Sequence, residues 1–233
     1  ALRDALRQAA PAGVHNAQPG ALSITQATET GAAYSPSEIR ELSGLAHEAQ
    51  IPVHMDGSRL ANALARQKVR PAEMTWKAGI DVLSLGATKN GALGVEAVVL
   101  FDPAQAWEFE LRRKRGGHLF SKMRFLAAQM EAYLTDGLWL RLAEHANRAA
   151  DRLASGLIQR GVRLIGEIGA NILFAEISLD QHRTLQAAGA HYYTMSPFDA
   201  DGAGDQLIRV RLVTNFSTRD EEIERFLATF DAG

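Results

Sequence analysis

Ile80-Asp81-Val82-Leu83-Ser84-Leu85-Gly86-Ala87-Thr88-Lys89-Asn90-Gly91-Ala92-Leu93-Gly94 is the stretch on which the reading of this 233-residue chain turns. An apolar run ends in a glycine-rich turn that carries one lysine, and a second apolar run, Val95 to Phe101, follows at once. Of the five lysines, Lys68, Lys77, Lys114 and Lys122 sit in polar or arginine-rich surroundings. Only Lys89 is flanked on both sides by apolar segments, which predicts a desolvated amine that is nucleophilic when neutral. Taken alone, the turn also fits a surface lysine at the tip of a tight hairpin.

The segments around it decide between strand and helix. Upstream, Leu22 to Ala27 reads as a strand, and Ser35-Pro36-Ser37-Glu38 opens a helix: Ser35 as N-cap, Pro36 at the first helical position and Glu38 closing a capping box. Ile51 to Met55 is a short strand that leads through Asp56-Gly57-Ser58-Arg59 into a helix over 60–66, and another helix is expected over 71–77. Strands alternating with helices predict a largely parallel α/β sheet. The apolar runs Val82-Leu83 and Ala97-Val98-Val99-Leu100 read as its central strands. Ala1 to Ala10 reads as a helix ended by Pro11 and Gly13. From Pro103 the texture changes to three long helical patterns over about 104–115, 120–135 and 138–160, the last stopped by Gly161. Strands near 171–177, 191–194 and 207–213, a helix near 180–188 and a final helix capped by Thr218-Arg219-Asp220-Glu221 complete a smaller α+β unit. The expected division is a larger domain, 1–135, and a smaller one, 136–233, bridged by the helix at 138–160.

Composition excludes several classes. Hydrophobic residues make up 46% and charged residues 22% of the chain, enough for a sizeable core, and the net charge of −2 offers no basic field for nucleic acid. There is no cysteine, hence no disulfide framework, which fits a reducing compartment. No apolar run reaches spanning length, and a first turn with Arg3, Asp4 and Arg7 is no signal peptide. The expectation is a cytoplasmic protein without nucleic-acid or membrane partners.

In a strand, His54 and Asp56 project from the same face, and in an open parallel sheet the carboxyl ends of strands are where ligands bind. Gly57 permits a sharp turn there, and Arg59 starts the next helix. Lys89 stands at the corresponding end of another strand. An amine able to form a Schiff base, opposite a carboxylate able to keep a ring nitrogen protonated, is the minimum equipment of a pyridoxal 5'-phosphate site. Competing motifs fail: Gly86 and Gly91 have P-loop spacing, but Ala92-Leu93 stands where Lys-Ser/Thr is required. There is no Gly-x-Gly-x-x-Gly, no nucleophile elbow, and no histidine pair suited to zinc, so no metal is expected.

Val53-His54-Met55-Asp56-Gly57-Ser58-Arg59-Leu60, Ser84 to Gly91, and Arg209-Val210-Arg211-Leu212-Val213-Thr214 together resemble the low-specificity L-threonine aldolases. These belong to the β-eliminating lyase group of fold type I pyridoxal phosphate enzymes. Leu22-Ser23-Ile24-Thr25 followed by Gly31 adds to the resemblance. Thr88-Lys89-Asn90-Gly91 with residues 115–122 is most similar to a phenylserine aldolase-like bacterial subgroup. The resemblance implies Lys89 as the Schiff-base lysine and Asp56 as partner of the pyridine nitrogen, with His54 beside the ring. Arg59 would contact the cofactor's phenolic oxygen or the substrate carboxylate, and Arg211 would grip that carboxylate, as a guanidinium can do bidentately. Lys114 and Lys122 fall where relatives carry cations near the cofactor phosphate. The implied activity is cleavage of a β-hydroxy-α-amino acid to glycine and an aldehyde by a homodimer or homotetramer. The alternatives are another fold type I reaction, either β-elimination or serine hydroxymethyl transfer, or a truncated, catalytically incomplete form. Family members begin with a further N-terminal third, so this chain is expected to be a fragment.

Overall fold

The computed structural model describes residues 1–9, 14–119, 121–195 and 197–230; Pro11 and Gly13, expected to end the first helix, lie outside the described residues. After α1 (Leu2–Ala9), β1 (Leu22–Thr25) stops short of Ala27. Gln26 turns its side chain inward there, its Nε2 donating to the Tyr34 carbonyl at 2.8 Å and its Oε1 accepting from the Tyr34 amide at 3.0 Å.

The helix announced by Ser35 is α2 (Pro36–Glu48), with the full capping box in place. The Glu38 amide donates to Ser35 Oγ at 3.2 Å, and Glu38 Oε2 accepts from the Ser35 amide at 2.7 Å. That backbone bond first, and the Ser35 hydroxyl second, hold the Glu38 carboxyl below its ordinary value of 4.5. A carboxyl whose folded value lies below its unfolded one adds stability above pH 4.5 that is lost as pH falls through the folded value. Ser35→Ala is expected to cost about 1 kcal/mol at pH 7, with a smaller penalty at pH 3. Urea midpoints at the two pH values check both parts.

The first sheet has the order β1-β2-β3-β4, with β2 at Val53–Gly57, β3 at Val82–Gly86 and β4 at Glu96–Leu100. β1, β2 and β3 are parallel, whereas β4 is antiparallel to β3. This corrects the reading of 97–100 as a central parallel strand. The link from Gly86 to Glu96 is too short for a crossover, which needs a dozen or more residues, so the chain doubles back. β4 is an edge strand, and Val98 is 43% exposed. Along β2, Val53 and Met55 enter the core while His54 and Asp56 face the opposite side.

α3 (Leu60–Gln67) runs from the end of β2 onto the long helix α7 (Leu138–Gln159). Asn62 Nδ2 donates to Asn147 Oδ1 at 3.1 Å, Asn147 Nδ2 returns a bond to the Asn62 carbonyl at 2.9 Å, and Arg66 binds both oxygens of Asp151. The helix expected over 71–77 is shorter: α4 (Pro71–Met74) gives way to a 3₁₀ turn that Gly79 ends at φ +92°. α5 (Ala106–Arg115) and α6 (Met123–Leu134) occupy the next two helical patterns, α6 beginning three residues later than expected; Phe120 lies outside the described residues.

α7 buries Trp139 and Ala143 in the first core and Leu153 and Leu157 in a second. The second core lies under an antiparallel sheet, β5-β6-β8-β7. Its strands are β5 (Arg163–Ile165), β6 (Ile172–Ser178), β7 (Tyr193–Thr194) and β8 (Leu207–Val213). β5 was not anticipated, because three residues are too few to show alternation. α8 (Leu179–Ala187) and α9 (Asp220–Ala228) complete the unit. The box on α9 sits one residue later than expected. Glu222 Oε2 accepts from the Arg219 amide at 2.9 Å, and the Thr218 hydroxyl instead accepts from the Asn215 amide at 2.9 Å. Among the described residues no helix is long and apolar enough to cross a membrane.

Candidate active site

The carboxyl ends of β2 and β3 lie side by side, with Asp56 in register with Ser84 and Gly57 with Leu85. Two glycines allow this approach. A Cβ on Gly57 would come within 2.9 Å of the Ser84 carbonyl, and one on Gly86 within 2.6 Å of the Ser58 Cα, closer than atoms can sit. The turn after Asp56 therefore rests against the turn that leads to Lys89. Asp56 Oδ1 accepts from the Ser58 amide at 2.9 Å, which orients the carboxylate and leaves Oδ2 outside that bond.

Lys89 occupies the middle of a one-turn 3₁₀ helix, Thr88–Asn90, and its neighbours are firmly tied. Ahead of it, the Ala87 and Thr88 amides each donate to the Glu96 carboxylate at 3.2 Å. Behind it, the buried Asn90 side chain donates to the Tyr133 hydroxyl and to the Trp139 carbonyl, both at 2.8 Å. Burial raises the Tyr133 hydroxyl above its ordinary value of 10.0, with the Asn90 bond opposing, so it stays neutral and available as a partner. The expectation of a desolvated amine is corrected: the Lys89 side chain is exposed. Leu83, Leu85 and Ala87 before it and Val95 after it are buried, while the turn between leaves Lys89 at the surface.

His54 lies across the middle of the sheet. Ser23 Oγ is 2.9 Å from its Nδ1 and Ser84 Oγ is 2.9 Å from its Nε2, so three strands contribute to one polar row on the face that also carries Asp56.

Arg59, at the N-cap of α3, is partly buried and reaches the start of the second sheet. Its Nε donates to Asn171 Oδ1 at 3.1 Å. Burial foremost, and then the charge of Arg211, pull the guanidinium below its ordinary range, against the opposing charges of Glu29 and Asp56. Arg211 stands on β8 between β6 and β7, so it is on an interior strand, not an edge. Its guanidinium carbon is 5.9 Å from the centre of the Tyr193 ring. The structure thus brings Arg59 and Arg211 within each other's field although 152 positions separate them in sequence. Lys114 and Lys122 are exposed, on and just before the helices α5 and α6.

Several of these partners escaped sequence reasoning: Ser23, Ser84, Glu96, Tyr133, Asn171 and Glu29. Asn171 carried no signal beyond its place before a strand, and Glu96 looked like an ordinary strand charge.

The arrangement offers an amine in the turn after β3, a carboxylate near the end of the adjacent strand β2, and two guanidiniums within each other's field, of which Arg59 also senses Asp56. It suits a small anionic ligand that also carries a carbonyl or ring nitrogen. The chain belongs to the beta-eliminating lyase family, which it matches over residues 1–180. It is 43% identical to the low specificity L-threonine aldolases of a Pseudomonas species and of Pseudomonas aeruginosa, over 182 and 183 residues. These matches take in 78% of this chain and 53% of each relative, so the chain spans about half the length of the curated relatives it matches. It also superposes on a threonine aldolase from Leishmania major with a TM-score of 0.89 at 27% identity, covering 99% of this chain and 65% of that one. The fold is that of the fold type I pyridoxal phosphate enzymes, as the sequence led us to expect.

Proposed function

We propose that the protein acts in a pyridoxal 5'-phosphate-dependent aldolase that cleaves β-hydroxy-α-amino acids, of the threonine or phenylserine type, to glycine and an aldehyde. The observation that carries this reading is that Asp56 and the turn bearing Lys89 stand at adjacent carboxyl ends of the parallel strands β2 and β3, with Arg59 in the field of both Asp56 and Arg211. The residues fit the cofactor. Lys89 offers an exposed primary amine, and Asp56 has a carboxylate oxygen outside the Ser58 bond. Bound there, the cofactor supplies an electron-accepting ring for the pair released when the Cα–Cβ bond breaks.

The chain's own residues set the conditions. Lys89 would hold the cofactor through its primary amine, and its exposure suits an amine that must be reached and released. Asp56 would pair with the ring nitrogen and favour its protonated form. Arg59 and Arg211 would hold and orient the substrate carboxylate. His54, tied to Ser23 and Ser84, fixes the face from which Asp56 projects. No side chain is assigned as the base that takes the β-hydroxyl proton.

Residues 1–135 would form the cofactor-binding unit and 136–233 the smaller one, with α7 tied to α3 as the bridge. We place the protein in the cytoplasm as a homodimer or homotetramer, in keeping with its fold class. Borohydride reduction of the pyridoxal-loaded protein, followed by peptide mass spectrometry, tests the site: the pyridoxyl group is expected on Lys89. Its absence, or its recovery on another lysine, would overturn the reading. Release of glycine from threonine and phenylserine separates the aldolase from β-elimination, which would release pyruvate and ammonia from serine.

A further inference from the structure

Asn171, immediately before β6, is only 4% exposed and is fully engaged. Its Oδ1 accepts from Arg59 Nε, its Nδ2 donates to the Thr214 carbonyl, and its own carbonyl accepts from the Thr214 amide at 3.2 Å. Thr214 in turn donates from its hydroxyl to the Ala146 carbonyl on α7 at 2.7 Å. One buried amide therefore links the loop after β2, the start of β6, the end of β8 and, through Thr214, the bridging helix.

A guanidinium has a fork of five N–H donors. With Nε committed to Asn171, the edge made by its two terminal nitrogens is left for a bidentate partner. The opposing amide is neutral, so it orients the cation without cancelling its charge. Arg211 comes from the other end of the same link, since it lies three residues before Thr214 on β8. Two neighbouring cations that repel each other are a natural seat for one anion.

We propose that Asn171 is the positioning residue of the carboxylate site: it sets the plane of the Arg59 guanidinium so that its free edge and Arg211 address the same substrate carboxylate. This inference rests on the aldolase reading above and adds the element that brings the two arginines into one site. A flexible arginine side chain loses considerable rotamer freedom when it is fixed on a ligand, and an arginine already fixed by a buried amide has less left to lose.

The test compares two ligands on the pyridoxal-loaded protein, followed by the cofactor's absorption band: glycine, which has an amine and a carboxylate, and ethanolamine, which has the amine alone. Asn171→Ala is expected to weaken glycine binding roughly 10- to 100-fold, the scale of a hydrogen bond to a charged group, and to leave ethanolamine within about twofold. Asn171→Ser is run beside it. Its short hydroxyl can still donate to the Thr214 carbonyl but cannot reach Arg59, so the same selective loss is expected even if Asn171→Ala fails to fold. Arg59→Lys should show the same selectivity, and the double variant should lose no more than the weaker-binding single one.

Equal weakening of both ligands, unchanged glycine binding, or additive losses in the double variant would each overturn the inference and leave the aldolase reading standing. A wild-type protein that takes up no pyridoxyl group at Lys89 would overturn both.

Discussion

Lys89→Ala is expected to reduce aldol cleavage by roughly four orders of magnitude or more, because it removes the amine that the proposed function assigns to covalent attachment of the cofactor aldehyde. The same substitution should leave stability within about 0.5 kcal/mol, as is usual for an exposed side chain that makes no special contact. These two expectations belong together. The turn that carries Lys89 is held by Glu96 on one side and by Asn90 on the other, and neither set of bonds involves the lysine amine. Lys89→Arg should be as inactive as the alanine variant, since a guanidinium keeps its charge and is no nucleophile. Turnover of threonine, urea midpoints and borohydride trapping on the three proteins check the set. Retained turnover in either variant would remove Lys89 from the chemistry.

Asp56→Asn is expected to lower kcat by about a thousandfold, which corresponds to the roughly 4 kcal/mol lost when a desolvated ion pair loses one partner. The substitution is nearly isosteric, and an amide oxygen can still accept from the Ser58 amide, so the turn should keep its shape. What it removes is the negative charge that, in the proposed function, keeps the ring nitrogen protonated. The variant should therefore still be trapped at Lys89 by borohydride while turning over slowly. Asp56→Glu, which restores the charge but lengthens the arm and disturbs the bond from the Ser58 amide, should recover only part of the rate. A kcat within about threefold of wild type for Asp56→Asn would sink the assigned role.

The sequence carried much of the local structure. Ser35, Pro36 and Glu38 announced α2 because a capping box is a contact between residues three apart, complete within one turn. The strand ends at Asp56 and Gly86 were legible for a similar reason: an apolar run stopped by glycine is a local pattern. Reading failed where the outcome depended on distant parts of the chain. The 97–100 run is as apolar as a central strand, yet it lies at an edge, because the length of the Lys89 turn, not the composition of the strand, sets its direction. The exposure of Lys89 was misjudged for the same reason: apolar neighbours in sequence say nothing about which way a turn points.

By itself, the sequence determined the alternation that builds a mostly parallel sheet, the identities of Lys89, Asp56, Arg59, His54 and Arg211 as candidates, and the family they resemble. Those signals are short in range or are fixed spacings, and a linear string preserves both. Only the tertiary structure decided which of the candidates share a space. Arg59 caps the helix after the first sheet and Arg211 lies on the second, and the buried Asn171, which bonds Arg59 and the Thr214 carbonyl at the end of β8, leaves no periodicity or motif, because its partners lie 112 and 43 residues away. A hydrogen bond across such separations exists only once both cores have packed against α7, and no reading of local pattern can anticipate it.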